Sequence, residues 1–460
     1  MESPLSAMRN IRPAAVAGAF YPGDPRALLA EVDELLETVE SFVPRFGHPK
    51  ALIVPHAGYI YSGRVAASAY RELASARGVV RRVVMLGPVH RVPVRGLALP
   101  TSEAFVTPLG RIPIDRDAVK AASALPQVVV SAPAHAMEHS LEVQLPFLQR
   151  VLGAFALVPF AVGDASVEEV AQVIERLWGG PETLIVVSTD LSHYHAYDEA
   201  RRIDGATLER IERLSADLNH DQACGATPLN GLLRVARTRG LKIRRLAACN
   251  SGDTAGDRDR VVGYASFALD EGAPVDQADA GRALVDVARG AIAADLGLGA
   301  KPQTEAPAWL KQPGATFVTL KKEGALRGCI GSLEAQRPLG EDVAANAVNA
   351  AFRDPRFPAV IAAEWQQVEV EVSLLSTPRS LRFADEAELL EAIVPGEDGL
   401  ILEADGRRGT FLPQVWEGIP DKRQFLAELK RKAGVPADTW ITRCKLSRYR
   451  VLKFRQQALD

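Results

Sequence analysis

The chain has 460 residues, of which 47% are hydrophobic and 24% are charged, with a formal net charge of −3 at pH 7. This length predicts two or three domains, and the composition is typical of globular proteins. The small net charge gives no electrostatic case for a nucleic-acid or membrane-surface partner, and no apolar run reaches the roughly 18 residues of a membrane helix.

The opening residues lack the apolar core of a signal peptide. The four cysteines are scattered and form no CxxC pair, which argues against a disulfide framework or a zinc ribbon. We therefore expect a cytoplasmic protein.

The first predicted elements form a βαβ unit. A helix is predicted from Pro25 to about Val39, with Asp24 as its N-cap. The apolar runs 51–54 and 83–86 are typical of strands buried on both faces, and a helix over about 62–75 connects them. We expect the two strands to be parallel neighbours with a right-handed crossover.

Helices and strands alternate through the rest of the first half, after an antiparallel excursion at 96–114. Helices are predicted at about 140–152, 166–178 and 198–214 and after Cys224, and strands at 156–162, 183–189, 243–249 and 261–269. This alternation predicts an α/β domain over residues 1–272, with helices on both faces of its sheet. The acidic, small-residue stretch 271–281 is interpreted as a linker to a second domain over 278–460.

Two histidines follow the first two predicted strands. His56 lies in Pro-His-Ala-Gly-Tyr and His90 ends Gly-Pro-Val-His. Ligands of open α/β sheets bind beyond the carboxyl ends of the strands, so these histidines could share one metal ion or one substrate. The chain has eight histidines, and the last is His220. Metal or proton chemistry is therefore expected in the first half only.

Further candidate ligands follow later elements. Asp190 and His193 come just after the strand 183–189, three residues apart, and Cys224 precedes an apolar helix whose N-terminus would lower its pKa. Alternatively, the two strand-end histidines only hydrogen-bond within turns, and Cys224 is a buried structural thiol.

Several other polar residues are interpreted individually. Glu138 and His139 could supply an acid/base or a partner for a ligand, but Glu138 could equally be a helix-start residue. Cys249 is expected to pack within a strand. His48 and His220 are expected on the solvated surface, and His135 and His195 remain unassigned.

Five motifs follow one another in a recognisable order, namely PHAGY, GPVH, EHSLEVQLPFL, STDLSHY and CG-x-x-P. Over about residues 8–270 they resemble the Memo family, whose fold is similar to that of the class III extradiol dioxygenases, which hold non-haem iron(II). The resemblance implies that His56, His90 and Cys224 bind a metal. We expect Asp190, His193 and His139 to act beside it as catalytic residues.

The implied ligand set differs from that of the dioxygenases, which use two histidines and a carboxylate. A thiolate in that place counts against ring cleavage and is compatible with redox chemistry. Iron(II) is the expected cofactor, and copper is the alternative.

The second half carries its own motifs. These are a glycine-flanked cysteine in 327–333, a turn at 351–358, an alternating half-exposed strand at 368–375, and Gly409–Trp416 before an amphipathic helix at 422–433. Together they resemble the AMMECR domain family over about 278–456, which implies an α+β fold. Glu369 and Glu371 are expected to be solvated.

Cys329 could be a nucleophile or a small residue in a tight strand pair. Because this domain contains no histidine that could act as its base, the structural interpretation is preferred. Arg327, Arg353 and Arg356 could bind an anion or cover the surface.

The two parts of the chain resemble components B (Memo-like) and A (AMMECR-like) of the AmmeMemoRadiSam system. This system includes a radical-SAM protein, and the resemblance implies that such a protein is the partner. The leading hypothesis is a metal-dependent redox or dioxygenase-like protein with an unidentified small-molecule or peptide ligand. The alternative is a non-catalytic ligand-binding module that acts with the radical-SAM protein. A stoichiometric metal would favour the first hypothesis.

Overall fold

A computed structural model describes residues 11–38, 47–271, 277–299, 307–381, 383–436, 439 and 441–456. The chain divides into two compact units, Met1–Glu40 with His48–Pro274, and Ser41–Gly47 with Val275–Asp460. Residues 272–276 of the predicted linker at 271–281 lie outside the described residues, and 277–281 belong to a helix that begins at Gln277, so that part of the linker prediction is wrong. None of the helices in the described ranges has the length and apolar character that a membrane-spanning helix requires.

The first unit is mixed α/β. Its strands are β1 (Ile11–Arg12), β2 (Ala51–Val54), β3 (Arg82–Pro88), β4 (Leu97–Leu99), β5 (Ala104–Thr107), β6 (Gly110–Pro113), β7 (Val128–Val130), β8 (Ala156–Val162), β9 (Thr183–Ser188), β10 (His193–His195), β11 (Lys242–Asn250) and β12 (Val261–Asp270). Its helices are α1 (Pro25–Thr38), α2 (Tyr59–Tyr70), α3 (Arg116–Ala122), α4 (Ala132–Ala136), α5 (Leu145–Leu152), α6 (Val167–Arg176), α7 (Tyr197–Glu212) and α8 (Ala226–Arg239).

The main sheet has a parallel centre with antiparallel additions. The strand order is β10-β12-β2-β9-β3-β8-β4-β7, and β11 pairs with β12. Strands β2, β9, β3 and β8 are mutually parallel, whereas β12 is antiparallel to β2 and β4 is antiparallel to β8. The expectation that β2 and β3 are neighbours is wrong, because β9 lies between them.

Both faces of the sheet are covered. Along β2, Ile53 belongs to one buried apolar cluster and Leu52 to the other. Helices α6 and α8 contribute to the first cluster, and α2 and α5 contribute to the second. Burial on both faces explains why the central strands are continuous apolar runs rather than alternating ones.

The helix predicted at about 140–152 is shorter than expected. A 3-10 turn at Glu142–Gln144 precedes α5, and the short helix α4 was not predicted. The predicted N-cap of α1 is confirmed, since Asp24 accepts a hydrogen bond from the Ala27 amide at 2.8 Å.

A buried ion pair ties the start of the first unit to this segment. Arg12 donates to Glu142 at 2.5 Å, and both side chains are almost fully buried. Glu142 also accepts from the Tyr21 hydroxyl at 2.6 Å, and Arg12 donates to the carbonyls of His135 and Glu138. The segment that carries Glu138 and His139 is therefore held by Arg12.

The second unit is also mixed α/β. Its strands are β13 (Pro313–Gly314), β14 (Thr316–Lys322), β15 (Ala325–Gly331), β16 (Arg337–Pro338), β17 (Val368–Leu375), β18 (Arg379–Ser380), β19 (Gly399–Ala404), β20 (Arg407–Phe411), β21 (Lys445–Tyr449) and β22 (Val451–Arg455). Its helices are α9 (Gln277–Asp295), α10 (Leu339–Phe352), α11 (Glu386–Ala392) and α12 (Lys422–Ala433). They accompany two antiparallel sheets, β15-β14-β17-β22 and β18-β21-β19-β20, and the strand pair β13-β16.

The expected half-exposed strand is mostly buried. Strand β17 lies inside its sheet, and Glu369 is its exposed residue. Glu371, expected to be solvated, is buried and accepts from Arg455 at 2.8 Å. The prediction of its exposure is wrong because Glu371, a polar residue of the alternating pattern, is paired with Arg455 instead of being hydrated.

The Arg12–Glu142 pair gives the first prediction. We expect Glu142→Gln to destabilise the full chain by about 3 to 5 kcal/mol, because it leaves the Arg12 charge buried without its counterion. Urea unfolding followed by circular dichroism measures this. The control Glu168→Gln removes an exposed partner of Arg234 and should cost at most about 1 kcal/mol. Equal stability of the two variants would contradict the anchoring role of Glu142.

Candidate metal centre

Three parallel strands end at one edge of the sheet and deliver a polar side chain in the same way. His56, Asp190 and His90 are each the second residue after β2, β9 and β3, respectively. They line a cleft of about 1260 Å³ together with Cys224, which precedes α8 by two residues. The central position of β9 places Asp190 between the two histidines in strand order.

His56 is buried, and its ring is held by β9. Its Nδ1 lies 2.9 Å from the Ser188 hydroxyl, which donates to the Ser140 carbonyl at 2.6 Å and accepts from the Gln144 amide at 2.9 Å. Because the single hydroxyl proton is used on Ser140, Ser188 accepts the Nδ1 proton of His56. The Nε2 lone pair therefore faces the cleft.

His90 has the same arrangement with a carboxylate as its acceptor. Its backbone amide and its Nδ1 lie 2.7 and 2.9 Å from the two carboxylate oxygens of Glu138. Burial alone raises the pKa of Glu138, but hydrogen bonds from His139, His90 and the Ser140 amide outweigh it and hold the pKa well below its usual range. The ionised Glu138 accepts the Nδ1 proton of His90, which leaves Nε2 as the free donor atom.

Glu138 is thus a positioning residue rather than a helix-start residue. It follows α4, and its Oε1 also accepts from the backbone amides of His139 and Ser140, at 2.8 and 2.9 Å. Gly87 of β3 lets this segment approach, since a Cβ there would lie 2.7 Å from Ser140 Oγ.

Cys224 supplies the third candidate donor atom, from the loop that precedes α8. Its Sγ lies 3.4 Å from His56 Nε2 and accepts from the Asp190 amide at 3.3 Å. Gly225 allows the loop to pack on the end of β9, because a Cβ there would lie 2.7 Å from the Thr189 Cβ. The expected lowering of the thiol pKa is wrong for the metal-free protein, since burial and then Asp190 raise the pKa of Cys224 to about 12.

The donor atoms of His56, His90 and Cys224 lie within 4.8 Å of one another. Tetrahedral coordination with bonds of about 2.0 Å to nitrogen and 2.3 Å to sulfur places the two donor atoms about 3.5 Å apart. The 3.4 Å between His56 Nε2 and Cys224 Sγ fits that spacing. A three-ligand set of two imidazoles and a thiolate suits iron, copper or zinc and leaves further coordination positions for solvent or substrate.

Asp190 lies beside this set. It accepts the His56 backbone amide through Oδ1 at 2.7 Å, and its Oδ2 lies 3.9 Å from His56 Nε2. The side chain is almost fully buried. It contributes negative charge at the edge of the set and shapes the turn after β2.

The structure separates His139 from His193. The His139 ring packs at a tilt against Phe20, and His139 lies with His90 and Glu138 in a second group of possible ligand atoms. His193 lines the cleft, but its Nδ1 bonds the Leu191 carbonyl at 2.8 Å, and it belongs to neither group found among the described residues. His139 therefore lies beside the candidate ligand His90, whereas His193 lies toward the rim of the cleft.

The remaining histidines have separate environments. His135 is buried away from the cleft, with Nε2 2.8 Å from the Ala98 carbonyl. His195 and His220 line the cleft, and His220 is exposed as expected. His48 is partly buried rather than solvated, with Nε2 3.1 Å from the Pro181 carbonyl.

Sequence reasoning missed one residue of the site and left another undecided. Ser188 opens the STDLSHY motif, but nothing in the sequence indicated its role, which is to hold the His56 ring through its hydroxyl. The sequence left the role of Glu138 undecided. Its position directly before His139 is the signal in the sequence for a carboxylate near the candidate ligands.

Comparisons with known proteins match the two halves separately. The family model described as Memo-like protein matches residues 12–268, and the model described as AMMECR1 matches residues 285–454. A MEMO1 family protein of Aquifex aeolicus is 35% identical over 272 residues, which are 55% of this chain and 97% of that protein. One from Thermoplasma volcanium is 34% identical over 273 residues, covering 56% and 97%.

Among solved structures, an uncharacterized protein of Pyrococcus horikoshii is 36% identical and covers 38% of this chain and 91% of its own, with a TM-score of 0.36.

The buried histidines give a prediction on pH. Burial lowers the pKa of both His56 and His135 to about 4, against an unfolded value of about 6.5. Between these values the unfolded chain binds more protons, so these residues make the stability of the metal-free protein fall as pH drops from about 6.5 to 4. Urea unfolding across this range measures it. The slope of the unfolding free energy against pH reports the number of protons taken up on unfolding. His56→Gln and His135→Gln should each lower this number by about one. Unchanged slopes would show that neither histidine is buried in its neutral form.

Proposed function

Because the chain belongs to the Memo-like protein family and also contains an AMMECR1 domain, we propose that it is a metal-dependent redox protein. Its first unit binds one transition-metal ion through His56, His90 and Cys224. The observation that carries this proposal is the convergence of these three donor atoms within 4.8 Å at one edge of the sheet. The class III extradiol dioxygenase-like fold is part of the proposal, supported by the parallel sheet centre with the cleft at its carboxyl edge.

Iron(II) is the proposed ion, with copper as the alternative. An ion at this place supplies one-electron redox chemistry and Lewis acidity to a molecule in the cleft. The thiolate distinguishes the set from two histidines and a carboxylate, so the proposal is redox chemistry rather than ring cleavage. Zinc suits the same donors and serves as the non-redox comparison.

The protein's own groups have distinct roles. Ser188 and Glu138 accept the Nδ1 protons of His56 and His90 and keep both Nε2 atoms available. Cys224 would hold the ion as a thiolate, so binding would release its proton. Glu138 orients His139 through Nδ1 at 3.3 Å, which leaves His139 Nε2 to hold or deliver a proton to a bound molecule.

Asp190 and His193 complete the proposed catalytic residues. Asp190 holds the turn of His56 and provides negative charge near the ion, and His193 faces molecules that enter from the rim. Phe20, Tyr61 and Tyr194 add aromatic surface to the cleft, which favours a ligand with an apolar part.

The second domain and a radical-SAM partner belong to the same proposal. Joining the two domains in one chain raises the effective concentration of each at the other, which supports consecutive action on one substrate or complex. In the alternative, a non-catalytic module, the cleft would bind a peptide or small ligand without a metal.

Metal titration tests the ligand set. We expect the full chain to bind one iron(II) per molecule under anaerobic conditions, and His56→Ala to weaken binding by more than about 100-fold because a direct ligand is lost. Glu138→Gln should weaken it by about 10- to 100-fold, as expected for a group that orients a ligand. The control His195→Ala changes a rim histidine and should bind normally.

The titration also tests the ligand assignment and the proposed redox chemistry separately. Equal iron binding by the wild type and His56→Ala would contradict the ligand assignment. Selective retention of zinc with no iron or copper bound would contradict redox chemistry while leaving the site intact.

Asp190 gives a further prediction. Asp190→Asn keeps an acceptor for the His56 amide but removes a negative charge close to the donor atoms, so the fold should persist. We expect the reduction potential of the iron-loaded protein to rise, because the oxidised ion loses a stabilising charge. Voltammetry of wild type and variant checks this. If the potential and the absorption spectrum are unchanged, Asp190 serves only in the turn and has no effect on the ion.

A further inference from the structure

The carboxylate of Glu138 joins two imidazoles into a second group of donor atoms beside the first. One ligand atom each of His90, Glu138 and His139 lies within 4.8 Å of the others. Glu138 Oε1 lies 2.9 Å from His90 Nδ1 and 3.3 Å from His139 Nδ1. His90 therefore belongs to both groups, because the proposed function uses its Nε2 and the second group uses its Nδ1.

The spacing of the second group fits one coordinated ion as well as it fits hydrogen bonds. Two donor atoms that each lie about 2.1 Å from an ion are about 3.0 Å apart at a right angle and about 3.4 Å apart at the tetrahedral angle. The two N–O distances of 2.9 and 3.3 Å match these values. The ring centroids of His90 and His139 are 4.6 Å apart, so the two imidazoles are close neighbours. The group therefore has the dimensions of a site for one small cation.

Glu138 is a buried anion without a basic partner. Its side chain is 2% exposed, and its carboxylate is ionised because hydrogen bonds outweigh the effect of burial on its pKa. Among the described residues its ion-pair partners are the two imidazoles, and no Lys or Arg pairs with it. A buried carboxylate requires a compensating charge. Either a protonated imidazole or a bound cation can supply that charge.

An ion at the first donor set does not compensate Glu138. The thiolate of Cys224 and the carboxylate of Asp190 together balance the two charges of a divalent ion there. Of the two arginines that line the cleft, Arg210 is already ion-paired and Arg91 is exposed to solvent. The negative charge of Glu138 is therefore left for a second cation.

The second group is held in place before any ion binds. Glu138 Oε2 accepts from the His90 backbone amide at 2.7 Å, and Oε1 accepts from the amides of His139 and Ser140 at 2.8 and 2.9 Å. Arg12 donates to the Glu138 carbonyl at 2.6 Å and holds the same segment. Donor atoms that are fixed in advance favour binding, because little reorganisation is needed.

We propose that His90, Glu138 and His139 form a second metal site, for a divalent ion such as zinc. Two imidazoles and one carboxylate are a common ligand set of zinc. The two Nδ1 atoms and Glu138 Oε1 hold the ion. His90 releases its Nδ1 proton to solvent and bridges the two ions, whereas His139 keeps one proton, now on Nε2. No oxidation or reduction is involved.

The second site rests on the proposed function in one respect, which is that both sites share His90. The second ion fills at a higher metal concentration than the first, because His90 must lose a proton to bind it. A protein with one tightly bound iron therefore still has room for a zinc ion.

Cobalt(II) titration of the full chain tests the second site. Cobalt(II) stands in for zinc, and its near-ultraviolet charge-transfer band shows whether a thiolate is bound. We expect the wild type to bind two ions, the first with the thiolate band and the second with visible absorption only. His139→Gln should weaken the second step by more than about 100-fold, because a direct ligand is lost. The first step should be unchanged, which also shows that the variant is folded.

Two further variants complete the experiment. His195→Gln is the matched control, since His195 lines the cleft but belongs to neither donor group among the described residues, and it should bind two ions. Cys224→Ser should lose the thiolate band and retain the ion that His139→Gln loses.

The outcomes separate the two sites. A wild type without the thiolate band that still loses an ion in His139→Gln would contradict the proposed function and support the second site. A single cobalt ion in the saturated wild type, or an unchanged second step in His139→Gln, would overturn the second site and leave Glu138 as a positioning residue only.

Discussion

The candidate metal centre depends on the positions of two protons. The Nδ1 protons of His56 and His90 are held by acceptors from other parts of the chain, the Ser188 hydroxyl and the Glu138 carboxylate. With these protons fixed, both Nε2 atoms are free, and that of His56 lies 3.4 Å from the sulfur of Cys224. Strand order supplies one acceptor, since β9 lies between β2 and β3, and the segment anchored by the buried Arg12–Glu142 pair supplies the other.

Much of this could be predicted because burial determines the pattern. Strands covered on both faces must be continuous apolar runs, so their ends, and the polar residues just beyond, are visible in the sequence. Strand order is not visible in this way, and β9 therefore went unplaced. The same holds for Ser188, whose role depends on a neighbour 132 residues away. Alternation in β17 was misleading because Arg455 neutralises Glu371 inside the sheet. Proximity to a helix N-terminus was also misleading for Cys224, where burial has the larger effect on the pKa.

The two halves present different uses of cysteine. Cys224 lies beside the imidazoles of His56 and His90, and burial raises the pKa of its thiol to about 12, so a bound cation would favour its ionisation. Cys329 lies on β15, where its backbone amide donates to Asp354 Oδ2 at 2.8 Å and the Thr319 hydroxyl donates to its Sγ at 3.4 Å.

The central claim is the identity of the donor atoms, and X-ray absorption spectroscopy of the iron-loaded full chain tests it most directly. We predict a coordination shell with one sulfur and two imidazole nitrogens, and loss of the sulfur in Cys224→Ser. An iron shell without sulfur in the wild-type protein would contradict the account.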